Sequence, residues 1–299
     1  MMKPVSEIIQ EFLESQDVNE LSRSKYKSVV NLFTRWVIVK GLNFFCLKKS
    51  DVIRYKSDLI AEKKSVYTID LRLTVVRKLF EFMYQSGIYN DNIALGVKAP
   101  RKNKEFRKEY LPVEKVKELL ATIDVSTITG KRDYAIISLM IRTGIRRVEV
   151  CRMKVGDMNS ESIVLQRKGK VNKDCRIGVR AKALQAVHDY LVCRNDLTSD
   201  SPMFVAHHPR YENKALGDVM ISRMVKMYFG KIGLDGSHYT CHSLRHTAAI
   251  LALKNGASIY DVQQMLGHTS IETTRIYLRA IDAEKRLDNA AIRSLDELF

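Results

Sequence analysis

The sequence predicts a mainly α protein of two domains, a small four-helix bundle followed by a larger α+β domain that carries a small antiparallel sheet. Three observations carry this reading. Apolar residues recur at helical spacing through the N-terminal third; a basic stretch containing Pro100 and no helical stripe interrupts the pattern; and beyond it the helical period is broken once, by two β-branched runs. The length of 299 residues agrees with two domains rather than one.

In chain order, Val5, Ile8, Ile9, Phe12 and Leu13 form the first helical stripe, and Tyr26, Val29, Val30, Phe33, Trp36 and Val37 the second, with Ser22 or Ser24 as its expected cap. Ser50 is the expected start of a third helix containing Val52, Ile53, Leu59 and Ile60. A fourth runs through Ile69, Leu73, Val76, Leu79, Phe80 and Met83 and stops near Ser86-Gly87. These helices make residues 1–97 one domain. Residues 98–110 read as a basic interdomain linker, and 111–299 as the second domain. Within it, Ser162–Gln166 and Cys175–Val179 predict a hairpin joined by the polar stretch Arg167–Asp174. Helices follow at about 181–194, 218–232, 243–255, 258–266 and 270–278. The tail from about 283 to 299 carries Leu287, Ile292, Leu295, Leu298 and Phe299 among alternating charges, an apolar stripe that a monomer would leave exposed.

The formal net charge is +16, and it is spread evenly: residues 1–107 hold 20 Lys+Arg against 12 Asp+Glu, and 108–299 hold 30 against 22. Both halves are therefore basic, which favours a long polyanion touched by both domains, such as duplex DNA, over a neutral or acidic partner. Cys46, Cys151, Cys175, Cys193 and Cys241 are odd in number and lack C-x-x-C spacing, so they read as reduced thiols. With no signal-like N-terminus and no apolar run long enough to span a bilayer, the expectation is a cytoplasmic protein without membrane association.

Six side chains form a chemical kit. Arg146 lies in Thr143-Gly144-Ile145-Arg146, Lys170 in Lys168-Gly169-Lys170, His242 and Arg245 in His242-Ser243-Leu244-Arg245-His246, His268 in Leu266-Gly267-His268, and Tyr277 nine residues further on. Breaking a phosphodiester needs cations on the non-bridging oxygens, a proton for the leaving alkoxide and a nucleophile able to hold the phosphoryl group covalently. Each role has a candidate here. His242 and His246, four apart beside Cys241, raise the thought of zinc, but Ser243 stands where the H-E-x-x-H glutamate would be, and two arginines would repel a divalent ion. No metal and no cofactor are expected, and no Gly-rich nucleotide loop is present.

In order and spacing this set, together with Glu149, resembles the tyrosine recombinases of the Xer and phage-integrase type. The four helices ending in Gly96-Val97-Lys98-Ala99-Pro100-Arg101 resemble that family's core-binding, SAM-like domain, so the likeness spans nearly the whole chain. It implies a site-specific DNA recombinase in which Tyr277 attacks the scissile phosphate to give a 3′-phosphotyrosine. Arg146 and Arg245 would grip the phosphate, Lys170 would protonate the 5′-oxygen, and His242 and His268 would serve as phosphate donors or proton carriers. Glu149 would support Arg146. Where the family usually reads Gly-Lys-Gly-Asn-Lys, this chain has Gly169-Lys170-Val171-Asn172-Lys173, with Lys168 and Lys173 flanking Lys170. The resemblance further implies duplex DNA with paired half-sites, a homotetramer on two duplexes and tail-mediated subunit contacts. Two other readings stand beside it: a type IB topoisomerase-like nicking-closing enzyme, and a catalytically silent DNA-binding relative.

Overall fold

The structure is a computed structural model that describes residues 3–101, 109–167, 172–173, 175–195, 197–210, 213–234, 236 and 238–287. The chain divides into two compact units, Met1–Lys104 and Glu105–Phe299. That division falls inside the stretch expected as linker, of which 102–108 lie outside the described residues.

The first unit holds α1 (Val5–Ser15), α2 (Glu20–Val39), α3 (Lys49–Ala61) and α4 (Val66–Gln85). Their apolar stripes meet in one core, in which Phe33 sits edge-on to Tyr55 and Phe80 at centroid distances of 5.0 and 6.0 Å. Two expected starts are corrected. Asn19, not Ser22 or Ser24, caps α2: its side-chain oxygen accepts from the Ser22 N–H at 2.9 Å, placing both serines inside the first turns. Helix α3 begins at Lys49, and the Asp51 carboxylate accepts from the Lys48 N–H at 2.8 Å. A carboxylate at the third position closes that turn without help from Ser50.

The second unit holds α5 (Val113–Ala121), α6 (Ile128–Thr143), α7 (Arg147–Cys151), β1 (Ser162–Leu165), β2 (Cys175–Gly178), α8 (Ala181–Leu191), α9 (Asp218–Lys231), α10 (Cys241–Lys254), α11 (Ile259–Leu266) and α12 (Ile271–Leu287). The central α6 is buried along most of its length and packs on α8 and α10. The two strands pair antiparallel, with Ser162 opposite Gly178 and Leu165 opposite Cys175, so the expected hairpin is present. A second apolar cluster joins α10, α11 and α12 through Ala249, Ile250, Val262, Leu266, Tyr277 and Ala280. Helix α12 outruns its expected end near 278 by about two turns, because the following Arg279, Ala280, Ala283 and Glu284 are good helix formers with no breaker among them. Tyr277 therefore sits in mid-helix. Among the described residues no helix is long and apolar enough to cross a membrane.

Candidate active site

Two glycines set the geometry. Helix α6 ends at Thr143, and Gly144 takes the left-handed conformation (φ +63°) that turns the chain so that Arg146 becomes the N-cap of α7. Helix α11 ends in the same way at Gly267 (φ +61°), which delivers His268. At both positions a Cβ would also crowd a neighbouring side chain, which would have to shift. A Cβ on Gly144 would lie 2.7 Å from Leu266 Cδ2, and one on Gly267 would lie 2.7 Å from Arg167 Cζ.

The C-terminal ends of α6 and α11 thus meet, and arginines take up the carbonyls that the helices leave unpaired there. Arg245, 3% exposed on α10, donates from Nη1 to the Gly144 carbonyl and from Nη2 to the Leu266 carbonyl at 2.7 Å. Arg167, 8% exposed, donates from Nη2 to the Met265 carbonyl at 3.2 Å and from Nε to Cys175 Sγ at 3.0 Å. Glu149, 1% exposed, collects three donors: its Oε1 accepts from Arg146 Nη1 at 3.0 Å, and its Oε2 accepts from the Arg146 backbone N–H at 2.8 Å and from Arg167 Nη1 at 3.2 Å. Glu149 supports Arg146 across the start of the helix, since Arg146 is the extended cap and Glu149 the third helical residue reaching back to it. Burial, and next the nearby Arg146, pull the Arg245 guanidinium down to about 10, still charged at neutral pH.

His268 faces Arg245 Nη2 through Nε2 at 3.1 Å and Thr274 Oγ1 through Nδ1 at 3.0 Å. A guanidinium only donates, so Nε2 must accept and the proton resides on Nδ1. Burial, then the charges of Arg245, Arg146 and Arg167, lower this imidazole to about 4 and keep it neutral.

Tyr277 is 2% exposed, and its Oη lies 3.0 Å from His246 Nδ1. Its ring lies parallel to His268 at 6.5 Å and an interplanar angle of 9°. Burial raises the phenol above its usual value, while Arg245 and Arg146 pull it back down. His242 is exposed in the first turn of α10, its ring 6.1 Å from that of His246. The structure thus brings Arg146, Glu149, Arg245, His268 and Tyr277 into one cluster, with His242 at its α10 edge. Lys170, like Lys168, lies outside the described residues; Lys173 pairs with Asp157 at 2.6 Å.

Two members of the cluster lie outside the six-residue kit read from sequence. Arg167 read as part of a polar hairpin loop, although a basic residue directly after a β-branched strand was a usable signal. His246 entered only beside His242, as a metal-ligand reading that the sequence rejects. Its four-residue spacing from His242 placed it on the same helical face, and that was the available clue.

Guanidiniums and imidazoles gathered around the Tyr277 hydroxyl form an environment for phosphoryl transfer. Residues 109–284 match the phage integrase family, and the chain belongs to it. It is similar to the tyrosine recombinase XerC of Chlamydia caviae, 31% identical over 268 residues that cover 89% of this chain and 83% of that protein. The tyrosine recombinase XerA of Pyrococcus furiosus is 30% identical over 290 residues, covering 97% and 94%. In fold it resembles the XerH site-specific recombinase bound to a palindromic difH substrate in a post-cleavage complex, with a TM-score of 0.75 at 18% identity over 95% of this chain and 85% of that one. The chain is accordingly a tyrosine recombinase, an enzyme of DNA strand breakage and rejoining.

Proposed function

We propose that this site-specific recombinase cleaves duplex DNA by attack of Tyr277 Oη on the scissile phosphorus, forming a 3′-phosphotyrosine and releasing a 5′-hydroxyl. The observation that carries the reading is the burial of the Tyr277 hydroxyl among basic groups, within the electrostatic reach of Arg245 and Arg146. In this scheme the two guanidiniums hold the phosphate oxygens and offset the charge of the pentacoordinate transition state. Glu149 fixes Arg146. His268, neutral and bonded to Arg245, orients that guanidinium more directly than it carries protons. His242, at the open N-terminal turn of α10, donates to the phosphate, and Lys170 protonates the departing 5′-oxygen.

Duplex DNA with paired half-sites is the substrate this reading requires. The basic charge of both halves supports it, as does an exposed face of α2 that presents Lys27, Ser28, Asn31 and Arg35. The related XerH structure holds a palindromic difH substrate, and a lambda integrase dimer holds a COC′ core site. Four copies acting on two duplexes, with the tail from about 283 to 299, of which 288–299 lie outside the described residues, passing to a neighbour, complete the scheme. The enzyme works in the cytoplasm at the nucleoid, where its substrate lies.

The test uses DNA recovered covalently from the wild-type protein and rebuilt as a duplex nicked beside the cleavage point. Tyr277→Phe is expected to bind this duplex with unchanged affinity and to form no adduct on a denaturing gel, whereas the wild type is trapped. The same adduct on the Phe variant would refute the role of Tyr277.

A further inference from the structure

Attack by a phenol requires that its proton go somewhere, and the roles above leave that acceptor unnamed. Resting on the reading of Tyr277 as nucleophile, we propose that His246 is the general base: as Oη closes on phosphorus, the phenolic proton passes to His246 Nδ1. The Oη–H bond breaks as the Oη–P bond forms, and the P–O5′ bond breaks as the 5′-oxygen takes a proton from the acid. On rejoining, the 5′-hydroxyl attacks and returns its proton to the acid, the Oη–P bond breaks, and Nδ1 returns its proton to the tyrosine.

The geometry points to His246 by position. A base must stand about 2.6–3.2 Å from the proton-bearing atom, and Nδ1 stands 3.0 Å from Oη. Its ring centroid is 5.4 Å from that of the tyrosine, and the two residues are carried on α10 and α12, which pack together through a shared apolar cluster. Rigid elements on both sides hold the pair in register. The other members of the cluster are committed elsewhere. Arg245 and Arg146 cannot accept a proton. Both oxygens of Glu149 receive hydrogen bonds from Arg146 and Arg167. His268 uses Nε2 on Arg245 and Nδ1 on Thr274, and it turns its ring face towards Tyr277. His242 stands exposed in the first turn of α10, and its ring lies 6.1 Å from that of His246.

The experiment measures single-turnover cleavage of the nicked duplex rebuilt from DNA trapped on the wild-type protein. His246→Asn places a carboxamide near the Nδ1 position, so it can still hold the tyrosine hydroxyl but takes up no proton. Its rate is expected to fall at least about 100-fold with DNA affinity unchanged. Difluorotyrosine is then installed at position 277 in both backgrounds. Its more acidic phenol needs less help, so it should restore the Asn variant by about tenfold or more while the wild type gains little. A residue that only packs against the ring would show no such selective rescue. Cleavage by His246→Asn within about threefold of wild type, or a slow variant that difluorotyrosine fails to restore, would overturn the proposal. Failure of the wild-type protein to form any adduct would instead remove the nucleophile reading, and the base with it.

Discussion

Glu149→Gln isolates the electrostatics of the cluster. The carboxylate is 1% exposed and receives three N–H donors, two from Arg146 and one from Arg167, which is itself 8% exposed. A glutamine of the same size keeps one oxygen but turns an NH2 towards a guanidinium, and it leaves Arg167 buried without a countercharge. Removing one partner of a buried ion pair costs about 3–5 kcal/mol. Arg146 is partly exposed and recovers water, so it adds little. For a unit the size of Glu105–Phe299, about 1 kcal/mol moves the melting temperature by about 2–4 °C, which puts the expected drop at about 6–20 °C. Differential scanning calorimetry on the full chain reads it in the transition of the second unit. Adding Arg167→Met should recover much of the loss by removing the stranded charge, while strand cleavage stays defective because Arg146 remains unanchored. A drop below about 2 °C would refute the reasoning.

Three further outcomes are expected. Gly267→Ala must adopt a left-handed backbone, costing about 1–2 kcal/mol, and must also displace the Arg167 guanidinium; a melting temperature unchanged by calorimetry would count against the close approach. Lys170→Ala should slow cleavage by about 100-fold or more on ordinary DNA but far less on a 5′-bridging phosphorothiolate, whose sulfur leaves without protonation; equal defects on the two substrates would remove it as the acid. His268 is held near 4 in the folded chain against about 6.5 when unfolded, so the unfolded state takes up the proton first. Its contribution to stability is therefore complete above about pH 6.5 and declines as the pH falls towards 4, blunted by the solvent that reaches this half-buried ring. In melting-temperature profiles across that window, His268→Gln should flatten the slope, and an unchanged slope would argue against the shift.

The helical stripes and the β-branched hairpin were legible because periodicity records which face is buried, and burial governs most of this fold. Caps were less legible: Asn19, Ser22 and Ser24 are all plausible cap residues, and only backbone geometry decides among them. The end of α12 was less legible still, because helix-forming residues continue past Tyr277 with no breaker to mark a stop. In the cluster, residue types and spacing named the ingredients but not their partners. Nothing in the spacing of Arg245 states that it joins the ends of α6 and α11, because Gly144 and Leu266 lie far from it in sequence. Arg167 and His246 escaped for the same reason, their roles arising from residues as distant as Met265 and Tyr277.

The immobilisation of Arg245 has a consequence for recognition. A solvent-exposed arginine carries about 2 kcal/mol of rotamer entropy, which an arriving anion must suppress before it can be held. Here two helix ends and His268 already fix the guanidinium, so its ordering is complete before any phosphate arrives. Folding has supplied in advance what binding would otherwise consume, and an anion meeting Arg245 finds a side chain with little freedom left to lose.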